Sequence, residues 1–260
     1  MKRFFGLLVA VLVLTGLVAA CGDTSPTTMP AALSTPAATA TPAPPPLPEA
    51  WYTLPPDAYK NPNFSGPYGT LLKQLAENST RYSSVRITLE AKSDPDNVMM
   101  LDNATIVVPK KGVVWWDFNV MMKSPNISGR MVAVNDTCYS QENGAEWQKE
   151  SPIAVSKCKD EPLGHILEIH PVITILFGAP DSPRVAPEKM PVLDIKALPD
   201  EVYEGKPVGV LLINGTTTWR YDKTTYRLVQ MKDSQEGGPG VTFRFDNYDD
   251  PNLKIVAPIP

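Results

Sequence analysis

From Val85 onward the chain alternates. Val85, Ile87, Leu89 and Ala91 are apolar, and Arg86, Thr88, Glu90 and Lys92 stand between them. A period of two puts each set on its own face of a strand, one buried and one wetted. The rhythm returns along most of the remaining chain. Residues 98–108 form a second strand, cut off by Pro109-Lys110-Lys111-Gly112. In a third, Val114, Trp116, Phe118, Val120 and Met122 oppose Trp115, Asp117, Asn119 and Met121. Residues 127–135 make a fourth. Residues 138–141 and 146–149 flank Glu142-Asn143-Gly144-Ala145, a hairpin signal because Asn-Gly accepts positive φ at both turn positions. Strands resume at 192–198, 207–214, 216–221, 226–232 and 240–247, with turns at Asn214-Gly215 and 237–240. The strands up to residue 149 read as an antiparallel meander; with the later ones they make a sheet of roughly ten strands, and a sheet of that size curls.

Two segments break the alternation. Residues 68–82 read as a helix, with Leu71, Leu72, Leu75 and Ala76 on one face. Residues 162–178 are the most apolar stretch of the body and read as helical with a bend at Pro171, against the preference of β-branched residues at 172–175. These two are the segments expected to cover the sheet face lined by Trp116, Phe118, Met131 and Phe243. Each large side chain buried there adds ~1.5–3 kcal/mol. The expected class is therefore α+β.

The first twenty residues have a different character. Lys2 and Arg3 precede an apolar run, which ends in Ala19-Ala20-Cys21. That is the layout of a secretory signal peptide, and the run is short of the ~20 residues that span a bilayer. Val18-Ala19-Ala20-Cys21 resembles a bacterial lipobox, which implies lipidation of Cys21 and cleavage before it. Two or more acyl chains hold a protein stably on a membrane. Residues 22–50 are rich in Pro, Thr, Ala and Ser with little charge, too poor in core formers to fold. They form a tether to a domain at 51–260, which opens with an aromatic, proline-rich lead-in.

Three cysteines are present. With Cys21 lipidated, Cys138 and Cys158 remain, in a compartment where disulfides persist. A bridge around a loop of ~20 residues stabilises by about 3 kcal/mol in the chain-entropy model. Two free thiols are the alternative; zinc is a poor one, since His165 and His170 are the only histidines. The formal charge of −4 and the lack of a basic stripe argue against nucleic acid.

Catalysis finds little footing. His165 and His170 lie in the apolar central stretch, and no serine sits in G-x-S-x-G. Asp246, Asp249 and Asp250 fall in a turn-like run where solvated acids are ordinary. No phosphate-cradling loop is present, and no cofactor is expected. Met99, Met100, Met121, Met122 and Met131, with Trp115 and Trp116, cluster in or beside neighbouring strands. They suit either a plain core or an adaptable pocket for acyl chains.

The domain resembles the LolA/LppX-like superfamily of bacterial lipid carriers over most of residues 68–260. The likeness is carried by Leu71-Leu72, by Tyr82-Ser83-Ser84-Val85 and by Leu167-Glu168-Ile169-His170-Pro171. It continues through Trp219-Arg220-Tyr221-Asp222, Tyr226-Arg227-Leu228-Val229 and Phe243-Arg244-Phe245-Asp246-Asn247-Tyr248. The resemblance implies a half-barrel of antiparallel strands whose concave face, lidded by helices, takes acyl chains of a lipid or lipoprotein. Two features depart from the shared pattern: the Cys138–Cys158 pair and the long proline-rich passage at 179–191. Expected lining residues are Val85, Ile87, Leu89, Ile106, Trp116, Phe118, Val120 and Met131. The expected protein is a monomer, without catalysis, anchored outside the cell membrane. An envelope sensor or scaffold holding a protein partner on the same surface is the alternative.

Overall fold

The computed structural model describes residues 46–54, 56–92, 98–110, 113–122, 126–135, 137–149, 170–177, 186–234 and 240–260. The leader, Cys21 and most of the tether lie outside them, as do Cys158, His165 and the turn at 94–97. Among the described residues no helix is long and apolar enough to cross a membrane.

Among the described residues, eleven strands make one open antiparallel sheet. They are β1 (Ser84–Lys92), β2 (Val98–Lys110), β3 (Val113–Met122), β4 (Ile127–Val134), β5 (Thr137–Glu142), β6 (Gln148–Lys149), β7 (Ile195–Tyr203), β8 (Lys206–Ile213), β9 (Thr217–Asp222), β10 (Leu228–Asp233) and β11 (Gly240–Asp246). The spatial order is β6-β5-β4-β3-β2-β1-β11-β10-β9-β8-β7. Two meanders are thus zipped together by the first and last strands, Ile87 opposite Phe245 and Leu89 opposite Phe243. The expected hairpins appear at Asn143-Gly144 and Asn214-Gly215, all four residues at positive φ. A third uses Glu204-Gly205 in the same conformation. Without Asn or Asp before its glycine, that turn is weakly signalled in the sequence, and strand β7 runs on to Tyr203 instead of stopping at residue 198.

The sheet curls around one core. Side chains from β1 to β5 and from β8 to β11 belong to a single buried cluster with those of two helices, α1 (Gly69–Asn78) and α2 (Pro171–Phe177). Leu72, Leu75 and Ala76 of α1 and Val172, Ile173 and Leu176 of α2 enter it. The architecture is the expected half-barrel with helices over its concave face.

Helix α1 is shorter than its sequence pattern. Helix α1 stops at Asn78 because Ser79 and Thr80 turn their hydroxyls onto the carbonyls of Ala76 and Glu77, at 2.7 and 2.8 Å. Its start is equally specific: a Cβ on Gly69 would collide with the backbone carbonyl of Phe64. Helix α2 has Pro171 as its first residue, where a proline leaves no N–H orphaned in the first turn. Residues 162–169 lie outside the described residues.

Two covering segments were not expected. The lead-in is part of the core: Trp51, Leu54 and Ala58 are buried, and Trp51 meets Tyr82 edge-on at 5.6 Å. On the convex side, Ile255 and Ile259 of the C-terminal tail pack with Val132, Val134, Tyr139, Trp115 and Trp147 in a second, smaller cluster.

Candidate functional site

Strand register sorts the eight expected lining residues onto the concave face. Val85 pairs with Ile106, and Ile106 with Trp116, which faces Ala133. The next row runs Phe245, Ile87, Ala104, Phe118, Met131 and Ser140 across six strands. A third row takes in Leu89, Val120 and Gly129. All eight therefore share one surface, as the period of two requires.

They do not share one environment. Val85, Ile87, Leu89, Ile106, Trp116 and Phe118 are buried, with the rings of Trp116 and Phe118 stacked at 4.6 Å. These six build the core. Val120 and Met131 are only partly buried. Burial thus falls along β3 from Trp116 and Phe118 to Val120 and Met122, and along β4 from Ala133 to Met131 and Gly129. At Gly129 a methyl group built on the backbone would meet nothing within 4 Å. The open stretch of the concave face, among the described residues, is here.

The buried part is not wholly apolar. Trp116 and Trp219 have no hydrogen-bond partner for the indole N–H among the described residues, although both are buried. An unpaired buried polar group costs about 1–3 kcal/mol, and most in folded proteins are paired. His170 is the extreme case. It is 2% exposed, lies with its ring centroid 5.0 Å from that of Phe245, and neither ring nitrogen has a partner among the described residues. Burial pushes the imidazole pKa down to about 3, so the ring is neutral at physiological pH. No described hydroxyl or thiol is hydrogen-bonded to it.

Sequence reasoning missed how α2 is held. Asn61 Nδ2 donates to the carbonyl of Leu176 at 2.5 Å, while its Oδ1 accepts from the backbone N–H and Nδ2 of Asn63. Asn63 in turn donates to the carbonyl of Pro191 and accepts from the N–H of Leu193. One pair of buried asparagines therefore ties the lead-in, the end of α2 and the approach to β7 together. An Asn-Pro-Asn triplet signals a turn; nothing in it names distant partners.

The aspartates of the 246–250 run separate. Asp249 accepts from Arg227 Nη1 at 2.6 Å and from the backbone N–H of Ser83 at 2.7 Å, a structural role. Asp246 has its carboxyl pKa raised by desolvation, against the pull of Arg86. No group of three or more His, Cys, Asp or Glu side chains is placed to hold a metal ion among the described residues. Cys138 is buried on β5 opposite Ala133.

No protein-family model matches the sequence, and no curated protein matches it. Solved structures are similar to it in fold. LprF from Mycobacterium bovis is 13% identical, with 74% of this chain and 96% of that one covered and a TM-score of 0.47. The MucA/MucB complex of Pseudomonas aeruginosa gives 12% identity, 69% and 56% coverage and a TM-score of 0.36. The chain thus spans just over half of that matched partner. A LolA superfamily protein from Nitrosomonas europaea is 7% identical, with 72% and 94% covered and a TM-score of 0.23. These are likenesses of fold; what this chain binds is read from its own residues.

Proposed function

We propose that the protein is an envelope lipoprotein, exported by residues 1–20 and held at the outer side of the cell membrane by lipidated Cys21. It binds lipid acyl chains along the concave face of its half-barrel, without catalysis. A disulfide between Cys138 and Cys158 braces the strands beside that face. The mechanism is burial: an acyl chain leaves water or membrane for an apolar surface, at about 25 cal/mol per Å² removed from water. The observation that carries the reading is the open stretch at Val120, Met131 and Gly129, where the apolar face continues beyond the packed core.

Gly129 supplies the test. It is not at positive φ, so a side chain is tolerated by the backbone, and there is space above it. Replacing Gly129 with Phe fills the open stretch without disturbing the core. Protein purified from a bacterial envelope and extracted into organic solvent should release lipid by mass spectrometry. The Gly129→Phe protein should release several-fold less while melting within about 2 °C of the wild type, since surface changes away from packed sites are worth about ±0.5 kcal/mol. A wild-type protein that carries no lipid and instead retains an envelope protein would sink the carrier reading in favour of a docking role.

A further inference from the structure

The convex face of the sheet has two characters. Where β1, β10 and β11 meet, it carries Arg86, Thr88, Gln230 and Arg244, the polar set that a wetted face requires. On β2 to β5 the same face is apolar: Val107 pairs with Trp115, and Val132 with Tyr139. Trp147 packs against this patch, with the Arg130 guanidinium 5.4 Å from its ring centroid. Arg130 also donates to both carboxylate oxygens of Asp117. The patch therefore has aromatic walls and a charged rim.

Residues 254–260 lie on it. Ile255 is buried and Ile259 partly so, while Val256 between them is 74% exposed. Among the described residues, no hydrogen bond or ion pair involves 254–260. The chain just before is anchored instead. Asp249 accepts from Ser83 and Arg227, its N–H donates to the carbonyl of Ser84, and the Ser84 hydroxyl donates to the carbonyl of Asp250. The polar attachments end at Leu253, whose N–H donates to the carbonyl of Asp250. Beyond it, apolar side-chain contact alone holds the segment.

Extended proline-bearing peptides are held on aromatic-lined surfaces in this way, because a chain stiffened by proline loses little entropy on docking. Pro258 and Pro260 fix their own φ and bias Ala257 and Ile259 toward extended backbone. We propose that the patch walled by Trp115, Tyr139 and Trp147 is a peptide-docking site, filled in cis by 254–260 and built to take an extended, proline-bearing apolar segment of a partner protein. Displacing 254–260 leaves the anchors at Asp249 and Asp250 in place. The site lies on the opposite face from the open stretch at Gly129 and does not rest on the lipid reading.

The test uses the full-length protein carrying Ile255→Ser and Ile259→Ser, which frees the segment without shortening the chain. The probe is a fluorescently labelled synthetic peptide with the sequence of residues 253–260, followed by anisotropy. The wild type should bind it to saturation but about tenfold more weakly than the freed protein, since its own segment competes at high effective concentration. A peptide with leucine for both isoleucines should bind within about threefold, because a partner's segment need match only size and spacing. A peptide with serine at both positions should not bind. Trp147→Ala in the freed protein should weaken binding about tenfold or more. A wild type that excludes the peptide, or a freed protein that accepts isoleucine alone, makes 254–260 a fixed self-contact and overturns the proposal. A freed protein that keeps its near-ultraviolet circular dichroism yet binds no peptide also overturns it, as does one that no longer unfolds cooperatively, the segment then being core. A wild-type dimer that the two serines dissociate would show the segment exchanged between copies, and the partner reading would fall.

Discussion

At the scale of single residues, burial decides what chemistry a side chain can do. The imidazole of His170 has its pKa lowered from 6.5 to about 3 by desolvation. Between those values the unfolded chain holds a proton there that the folded chain does not. Stability from this group is therefore complete above pH 6.5 and is lost as pH falls toward 3, by up to about 1.4 kcal/mol per pH unit. Urea unfolding of wild type and His170→Phe at about pH 7.5 and about pH 5 isolates the effect. The variant should gain about 2 kcal/mol on the wild type between the two; an unchanged difference would show the ring to be solvated. Sequence placed His170 in an apolar stretch, but not its lack of partners, because pairing depends on residues far away in the chain.

At the scale of elements, the covering helix is fixed more by two asparagines than by its own propensity. Helix α2 has seven residues and four successive β-branched ones, Val172, Ile173, Thr174 and Ile175. Isolated helices this short do not persist in water. Val172, Ile173 and Leu176 hold it by burial, and Asn61 takes the carbonyl of Leu176 at its last turn. Asn61→Ala removes that donor, strands the backbone N–H of Asn63 and takes one of the two acceptors of its Nδ2, a loss of about 1–3 kcal/mol. Hydrogen exchange should show the loss of protection concentrated in α2 and the residues around Leu193, with β3 and β4 unchanged. If protection fell evenly across the sheet, the asparagines would be part of the global core and not a local clamp.

At the scale of the whole described domain, the joint between the two meanders matters most, because among the described strands only β1 and β11 connect them. Arg227, at the entry to β10, closes that joint. Its side chain is 4% exposed, contacts the 29% exposed Asp249, donates to the carbonyl of Arg81 and lies over the Tyr248 ring at 4.9 Å. Asp249 also holds Ser83, just before β1. Asp249→Asn leaves the buried guanidinium without its counter-charge. Part exposure of the aspartate reduces the ~3–5 kcal/mol of a fully buried pair to roughly 2–3 kcal/mol. The urea midpoint should fall with its slope unchanged, since both meanders unfold as one unit. A second transition would mean that they unfold separately.

Local pattern was enough to specify the antiparallel sheet, the strand order within each meander, and which residues share the concave face. Those features follow from a period of two and from Asn-Gly turns, and both act over a few residues. Which parts of that face are packed and which are open emerged only when the chain was folded. Phe118 and Val120 have the same place in the strand pattern, yet one is buried under the core and the other is only partly covered. The physical reason is that burial is set by what lies opposite. Trp51, Asn61, the two helices and the C-terminal tail arrive from distant parts of the chain, and no local pattern records where they land.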